Sequence, residues 1–459
     1  MSDTATAEQT LHYQHVAFLF CPTGNYCRED RCQSYFKFNL IPTMRAPLEE
    51  CESAGMITSL GARVSLIDAP AEKLNETEFI ARVQALQPNL FVIVTTFGSL
   101  ELDLAWAKKL KELFTATEIC LRGAPCYVQS QEILNRTPAV DFCIRGEYES
   151  IFKDLLLNGP QSARGVVFRR GREICSNPQP ALEADLDFFP FPNRTIIKPE
   201  LYTVRGKGRK QATIRVQRGC PYTCTYCLVH TVNGNQARHR SPASIVREVQ
   251  SLVAEGINHF YFRADTFSLD RDWTLELCRQ LTEQCPTARW VTTTRVERVD
   301  REVIAAMAKA GCYGISFGVD VASSKISKLV MKKADLERAE NAMRLCDQFK
   351  IISLAYIMIG FIWDNASTVK EAEDFIYKIR PDLVTVHFAH PYPGTVYYQQ
   401  VLDSSNHLKI VNTREAQSEP ALETQALSSL FLKRAAQRIL YRHYLRPRVI
   451  SSVVRKVLL

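Results

Sequence analysis

The run Cys220-Pro221-Tyr222-Thr223-Cys224-Thr225-Tyr226-Cys227 follows an alternating, β-branched stretch, Ala212-Thr213-Ile214-Arg215-Val216. That pattern predicts a strand feeding a tight loop. Three cysteines spaced C-x3-C-x2-C on one loop can hold three irons of a [4Fe-4S] cube and leave the fourth iron open to a second ligand. Two other readings fit the same residues. Free cysteine is often a core residue. A zinc knuckle wants a fourth ligand at metal spacing, and His230 lies just past Cys227.

Working outward, residues 201–400 form a βα series. Six strands are expected at 211–218, 258–264, 289–294, 313–319, 351–358 and 383–388. Each of the first five precedes a helix-length segment, such as Ser241 to Glu255 and Ala334 to Phe349. Ser241-Pro242 is a good helix opening, with a hydroxyl N-cap and proline in the first turn. Six such units predict a partial (β/α)6, TIM-like barrel, with functional residues at the strand carboxyl ends.

Upstream, residues 14–160 alternate strands (His15–Phe20, Arg63–Asp68, Leu90–Thr95, Glu118–Leu121, Asp141–Ile144) with helices (Leu48–Leu60, Glu76–Gln87, Leu102–Phe114). The third strand is almost wholly apolar, as expected when helices cover both faces of a sheet. This rhythm predicts a Rossmann-like parallel sheet with any ligand at its carboxyl edge. Residues 161–200 read as a linker: a small hairpin near Gly165–Ile174, then Phe188-Phe189-Pro190-Phe191-Pro192, whose prolines exclude a helix interior. Residues 401–459 complete the chain as a basic helical region. The expected class is therefore α/β.

The chain has 459 residues, 23% charged and 46% hydrophobic, which suits two or three soluble domains. No apolar run is long enough to span a bilayer. The N-terminus lacks a signal-peptide pattern, and fifteen cysteines without one point to a reducing cytoplasm rather than a disulfide framework. Cys21, Cys27 and Cys32 form a second, looser group. The net charge of +8 gathers toward the C-terminus, where Lys433, Arg434, Arg438, Arg442, Arg446, Arg448, Arg455 and Lys456 are interleaved with Leu432, Ile439, Leu440, Leu445, Ile450 and Val454. A basic amphipathic helix can lie peripherally on an anionic membrane or pack on the barrel with a solvated face. No nucleic-acid motif accompanies the charge.

The cysteine run, with Arg218-Gly219 before it and Tyr226 ahead of the third cysteine, resembles the signature of the radical S-adenosylmethionine (SAM) superfamily. The resemblance implies that Cys220, Cys224 and Cys227 hold a [4Fe-4S] cluster whose open iron chelates SAM. It places Tyr226 beside the adenine. Asp265, in Phe262-Arg263-Ala264-Asp265-Thr266-Phe267, resembles the acidic motif near the SAM amino group. Thr293 and Arg295, in Thr292-Thr293-Thr294-Arg295, resemble a polar SAM-contact segment. Ser316 and Asp320, in Ser316-Phe317-Gly318-Val319-Asp320, resemble G-V-E-S-G with Asp for the usual Glu. Met358 opens a segment that resembles the apolar wall at the adenine, and the stretch from His387 to Thr395 resembles the end of the sixth strand. The N-terminal domain resembles the cobalamin-binding domain found before many such cores, although D-x-H-x-x-G is absent. Thr95, Thr96, Gly123 and Gly146 are its candidate cofactor residues; the other reading is a packing or substrate domain. What these resemblances imply is a cobalamin-dependent C-methyltransferase acting on a small molecule, reduced by a flavodoxin- or ferredoxin-type donor. The alternatives are a cyclase or skeleton-rearranging enzyme on a tetrapyrrole or lipid-like substrate, and a non-enzymatic iron-sulfur carrier or sensor.

Overall fold

A computed structural model describes residues 10–24, 26–27, 34–35, 44–204, 208–332, 335–404, 408–411, 418–453 and 456. The chain divides into two compact units: 1–25 with 47–183 and 188–198, and 26–46 with 184–187 and 199–459.

The first unit is built on strands β1 (His15–Phe20), β2 (Arg63–Asp68), β3 (Leu90–Val94), β4 (Glu118–Arg122) and β5 (Phe142–Ile144). They lie parallel in the order β2-β1-β3-β4-β5. Successive strand residues alternate between two cores. Ala17, Leu19, Phe91, Ile93, Ile119 and Leu121 face one layer of helices, and Val16, Phe18, Leu90, Val92, Cys120 and Phe142 face the other. Those layers come from α1 (Leu48–Ser59), α2 (Glu76–Leu86), α3 (Leu100–Leu113), α4 (Ala124–Arg136) and α5 (Tyr148–Asn158). Two-sided coverage is why β3 is buried at every residue. The hairpin expected near 165–174 forms as β6 (Val166–Arg170) and β7 (Glu173–Ser176) and pairs antiparallel onto β5, extending the sheet.

In the second unit a two-residue edge strand, β8 (Thr203–Val204), pairs antiparallel with β9 (Arg209–Arg215). Parallel strands β10 (His259–Arg263), β11 (Arg289–Thr294), β12 (Cys312–Asp320), β13 (Ile352–Ile359) and β14 (Leu383–Phe388) continue the sheet in sequence order, making a half-barrel. Its outer face packs Ile214, Phe260, Phe262, Trp290, Ile315 and Phe317 against the helices. These include α6 (Pro242–Ala254), α7 (Arg271–Gln284), α8 (Arg301–Lys309), α9 (Ser324–Leu329), α10 (Leu336–Gln348) and α11 (Ala366–Ile379). The Ser241 hydroxyl caps α6 by accepting from the Ser244 amide at 3.1 Å. The first strand is shorter than the 211–218 expected. It ends at Arg215, and Gln217–Arg218 pair antiparallel with Arg238–His239, because the chain turns there into the cysteine loop.

Toward the C-terminus, helix α12 (Ser429–Tyr444) buries Leu432, Ala435, Ala436 and Ile439 in the barrel core. Its Arg438 and Arg442 pair with Glu373 at 2.7 and 3.1 Å. Arg455 and Val454 lie outside the described residues, as does Cys32; of Cys27 only the backbone is described. No described helix is long and apolar enough to cross a membrane, and no described cysteine side chain is in a disulfide.

Candidate active site

The cysteine loop leaves β9 through a fixed scaffold. Gly219 has φ +84°, and a Cβ there would stand 2.0 Å from the Gln236 carbonyl oxygen, so no larger residue fits. Its amide donates to Asp265 Oδ2 at 2.8 Å, which also accepts from Asn233 Nδ2 at 2.9 Å. Gln217 closes the same corner: its amide nitrogen donates to the Gly219 carbonyl, and its oxygen accepts from the Asp265 and Thr266 amides at 2.7 and 3.1 Å. The Thr225 amide donates to the Val330 carbonyl at 3.0 Å, and the Tyr397 amide to the Thr225 carbonyl at 2.9 Å.

His230 Nε2 donates to the Cys220 carbonyl at 2.8 Å, so the histidine of the zinc reading is engaged with loop backbone. Among the described residues no three His, Cys, Asp or Glu side chains gather closely enough to hold a single ion. The ligands of a cube bind separate irons, so three cysteines can hold a cluster without gathering around a single ion. Cys220 is 9% exposed, and Cys224 and Cys227 are half-buried. Burial pushes the Cys220 thiol up.

Around the loop the strand ends bring charge. Arg295, just past β11, has Nη1 3.8 Å from Cys224 Sγ, and its guanidinium lies 3.9 Å over the Tyr222 ring. Its Nη2 donates to Glu297 at 2.8 Å and to the Lys332 carbonyl at 2.7 Å. Lys332 Nζ, itself buried, pairs with Asp320 Oδ2 at 2.6 Å, and the Tyr226 hydroxyl donates to the same oxygen at 2.8 Å. Burial pushes the Asp320 carboxyl up, but the Lys332 ammonium and the Tyr226 phenol outweigh it and hold the group below the usual carboxylate range. Asp320 ends β12 at φ +58°, where the register against β13 shifts. Thr293 and Ser316 are direct register partners on β11 and β12, both half-buried. Met358 and Tyr226 share one apolar cluster with Phe361, whose ring is 5.7 Å from that of Tyr226.

Gln217, Tyr222 and Lys332 escaped the sequence reading. Gln217 was taken as strand, and Lys332 reaches Asp320 from beyond α9, a proximity no local spacing encodes. Arg238 and His239 hold loop structure: Arg238 Nη2 donates to the Asn233 carbonyl at 3.0 Å, and His239 packs 4.7 Å from the Trp273 ring.

In the first unit the order β2-β1-β3-β4-β5 puts a topological switch point between β1 and β3, the position where such sheets open a crevice. Thr95 and Thr96 follow β3 there and are buried. The Thr96 hydroxyl meets Ser99 Oγ at 3.1 Å, and Ser99 Oγ donates to Asp103 Oδ2 at 2.6 Å. Burial raises the Asp103 carboxyl to about 7, although the Ser99 and Thr95 hydroxyls pull the other way. Gly123 (φ +136°) has Thr95 backbone directly over it, with a Cβ position 1.9 Å from the Thr95 oxygen. Gly146 is packed by Ile151 and Pro180. These four residues shape the carboxyl edge of the sheet; their contacts are made within the unit. Arg122, at the end of β4, pairs with Glu49 and Glu50 and lies 4.1 Å over the Tyr148 ring.

Comparison with known proteins agrees with this geometry. Residues 214–376 match the radical SAM superfamily. An uncharacterized methyltransferase of Pyrococcus horikoshii is 24% identical over 84% of this chain and 85% of its own. The anaerobic magnesium-protoporphyrin IX monomethyl ester cyclase of Cereibacter sphaeroides is 24% identical over 73% of this chain, which spans 57% of that protein. Among solved structures, the radical SAM methyltransferase TsrM from Kitasatospora setae, with cobalamin and a [4Fe-4S] cluster bound, superposes with a TM-score of 0.70 at 15% identity, covering 95% of this chain and 89% of that one. The cobalamin-dependent radical enzyme OxsB gives 0.65 at 17% identity, over 86% and 56%. The three-cysteine loop on the first strand of the half-barrel thus lies within the segment that matches the radical SAM superfamily, residues 214–376, and the likeness to TsrM and OxsB shows that the chain shares their fold.

Proposed function

We propose that this protein is a cobalamin-dependent radical SAM methyltransferase that adds a methyl group to an unactivated carbon of a small molecule. The observation that carries the reading is the cysteine loop, braced by Gln217, Asp265 and Asn233 and edged by Arg295, in a chain whose other unit has an open switch-point sheet. Relatives named as methyltransferases support methyl transfer; they include the cytidylyl-2-hydroxyethylphosphonate methyltransferase of Streptomyces wedmorensis, 28% identical over 77% of this chain and 74% of its own.

When bound, the cluster and SAM supply a 5′-deoxyadenosyl radical for hydrogen abstraction, and cobalamin supplies the methyl group. The chain's own residues position and shield. Cys220, Cys224 and Cys227 are the proposed iron ligands. Arg295 holds positive charge against the Cys224 sulfur. Tyr226, Met358 and Phe361 form an apolar wall for the adenine and exclude water from it. Thr293 and Ser316 offer adjacent hydroxyls on the half-barrel for the SAM ribose or amino-acid end. Asp320 and Lys332 form an ion pair at the end of β12. Asp265 is proposed chiefly as a positioning residue, since one of its oxygens already accepts two loop donors. The crevice shaped by Thr95, Thr96, Gly123 and Gly146 is the proposed cobalamin side. A flavodoxin- or ferredoxin-type protein is the proposed electron donor, and the reducing cytoplasm the proposed location. Peripheral membrane contact through α12 has less support, since Arg438 and Arg442 are paired to the barrel.

The test is anaerobic reconstitution with iron, sulfide and hydroxocobalamin, then desalting and visible spectroscopy. Retained corrin bands with iron-sulfur absorption are expected, as is deoxyadenosine on adding SAM and reductant. Iron-sulfur absorption without corrin would overturn the cobalamin half of the reading. Product heavier by one methyl separates a transferase from the cyclase reading that the Cereibacter relative keeps in view.

A further inference from the structure

The outer edge of the cysteine loop carries a surface that the catalytic reading leaves unused. Pro221 and Thr223 are exposed. Tyr222, between them and half-buried, links inward to the cluster side through Arg295, which touches both its ring and Cys224 Sγ. It links outward through its hydroxyl, which accepts from Arg298 Nε, and Arg298 is exposed. A continuous line of contacts therefore runs from a cluster cysteine to the solvent.

On the loop's other flank stands α9. The carbonyl of Val330, just past its end, accepts the Thr225 amide, so helix and loop are tied. Lys325 and Lys328 on α9 are exposed and make no ion pair among the described residues. Beside them Leu329 and Met331 are 38% and 46% exposed, large apolar side chains in contact with water. Nearby acids are already matched: Glu297 by Arg295, Asp320 by Lys332 and Asp335 by Arg338. The patch thus combines a small apolar centre with unopposed cations at the point of the fold where the cysteine loop meets solvent. Transient redox interfaces are small and charge-steered, and such a surface suits one.

We propose that this edge, from Arg298 across Pro221–Thr223 to Lys325, Lys328, Leu329 and Met331, docks an acidic one-electron carrier protein. The inference rests on the radical SAM reading and names the surface through which its electron arrives. The reduced carrier loses one electron and the centre held by the three cysteines gains it; no bond is made or broken. Docking here keeps the transfer path short, and the cations raise the encounter rate with a negatively charged partner.

The test is binding of an acidic flavodoxin to the full-length, cluster-reconstituted protein at low ionic strength, followed by microscale thermophoresis. The double variant Lys325→Glu, Lys328→Glu should raise the Kd about tenfold or more and flatten its salt dependence. Arg434→Glu on α12, a charge reversal of half that size elsewhere on the second unit, should leave the Kd within about twofold, well under that tenfold effect. An unchanged Kd in the double variant overturns the proposal, and so does equal weakening by Arg434→Glu or a native protein without salt-sensitive binding. Both variants alter exposed side chains, and unchanged thermal unfolding will confirm that they fold. Deoxyadenosine formation driven by dithionite, which needs no docking, tests the catalytic reading separately.

Discussion

The two sheets finish their strands in different ways. At the carboxyl edge of β1–β5 the side chains after β3 are small hydroxyls closed on one another, and Gly123 is pressed against Thr95 backbone. At the carboxyl edge of β9–β14 the side chains are long and charged, and Arg295, Lys332 and Asp320 bridge one strand end to the next and to the cysteine loop. The first edge is shaped by backbone approach, the second by a charge network. A shape-made site tolerates loss of a polar atom but not added volume. A charge-made site tolerates little loss of charge, because each buried partner left behind is costly.

The largest expected effect separates the units by chemistry. Cys224→Ala should abolish deoxyadenosine formation and cut the iron bound after reconstitution, while the corrin bands remain. Retained SAM cleavage would sink the cluster assignment. Loss of corrin together with iron would break the view that the two edges act as separate binding sites.

Next comes the charge network itself. Asp320→Asn keeps the shape and hydrogen bonds but leaves Lys332 buried without its counter-charge, which should destabilise the second unit by about 3 kcal/mol. Urea denaturation at neutral pH reads this directly, and a cost under about 1 kcal/mol would mean that the pair is solvated. The shape-made edge has its own counterpart. Gly123→Ala drives a Cβ into the Thr95 carbonyl at a positive φ and should cost the first unit about 2–3 kcal/mol, whereas Thr96→Val, which removes a hydroxyl without adding volume, should cost about 1 kcal/mol. Equal costs for the two would show that the comparison is drawn wrongly.

Much of this was legible in the sequence, for reasons that differ between the edges. The strands of both sheets could be read because period-two burial on two-sided sheets leaves apolar runs such as Leu90–Val94. The cysteine loop could be read because its ligands are local in sequence. Asp320 is a subtler case. It stands where the family pattern has Glu, and its φ of +58° supplies a reason, since aspartate tolerates left-handed backbone better than longer side chains do. Lys332 and Gln217 were not legible, because their roles come from tertiary proximity and neither residue type is diagnostic. The pairing of β6 and β7 onto β5 was missed as well; a hairpin's sequence announces its turn but not the sheet edge it joins.

The gentlest effect is a pH dependence of opposite sign in the two units. In the first, burial lifts Asp103 to about 7 from the ordinary 3.8. Between those values the native state keeps a proton that the unfolded chain has released, so this group's contribution falls as pH rises from about 4 to about 7. In the second, burial lowers His443 to about 4 from the ordinary 6.5. Between those values the unfolded chain takes up a proton that the native imidazole refuses, so stability falls as pH drops from about 6.5 to about 4. Each limb should approach a slope of about 1.4 kcal/mol per pH unit. Urea midpoints measured from pH 4 to pH 8 should therefore show two opposed trends, with Asp103→Asn flattening the one that weakens with rising pH and His443→Gln the other. If Asp103→Asn instead left that limb unchanged, the Ser99 and Thr95 hydroxyls would be holding the carboxylate ionised. The first edge would then be a charged site like the second.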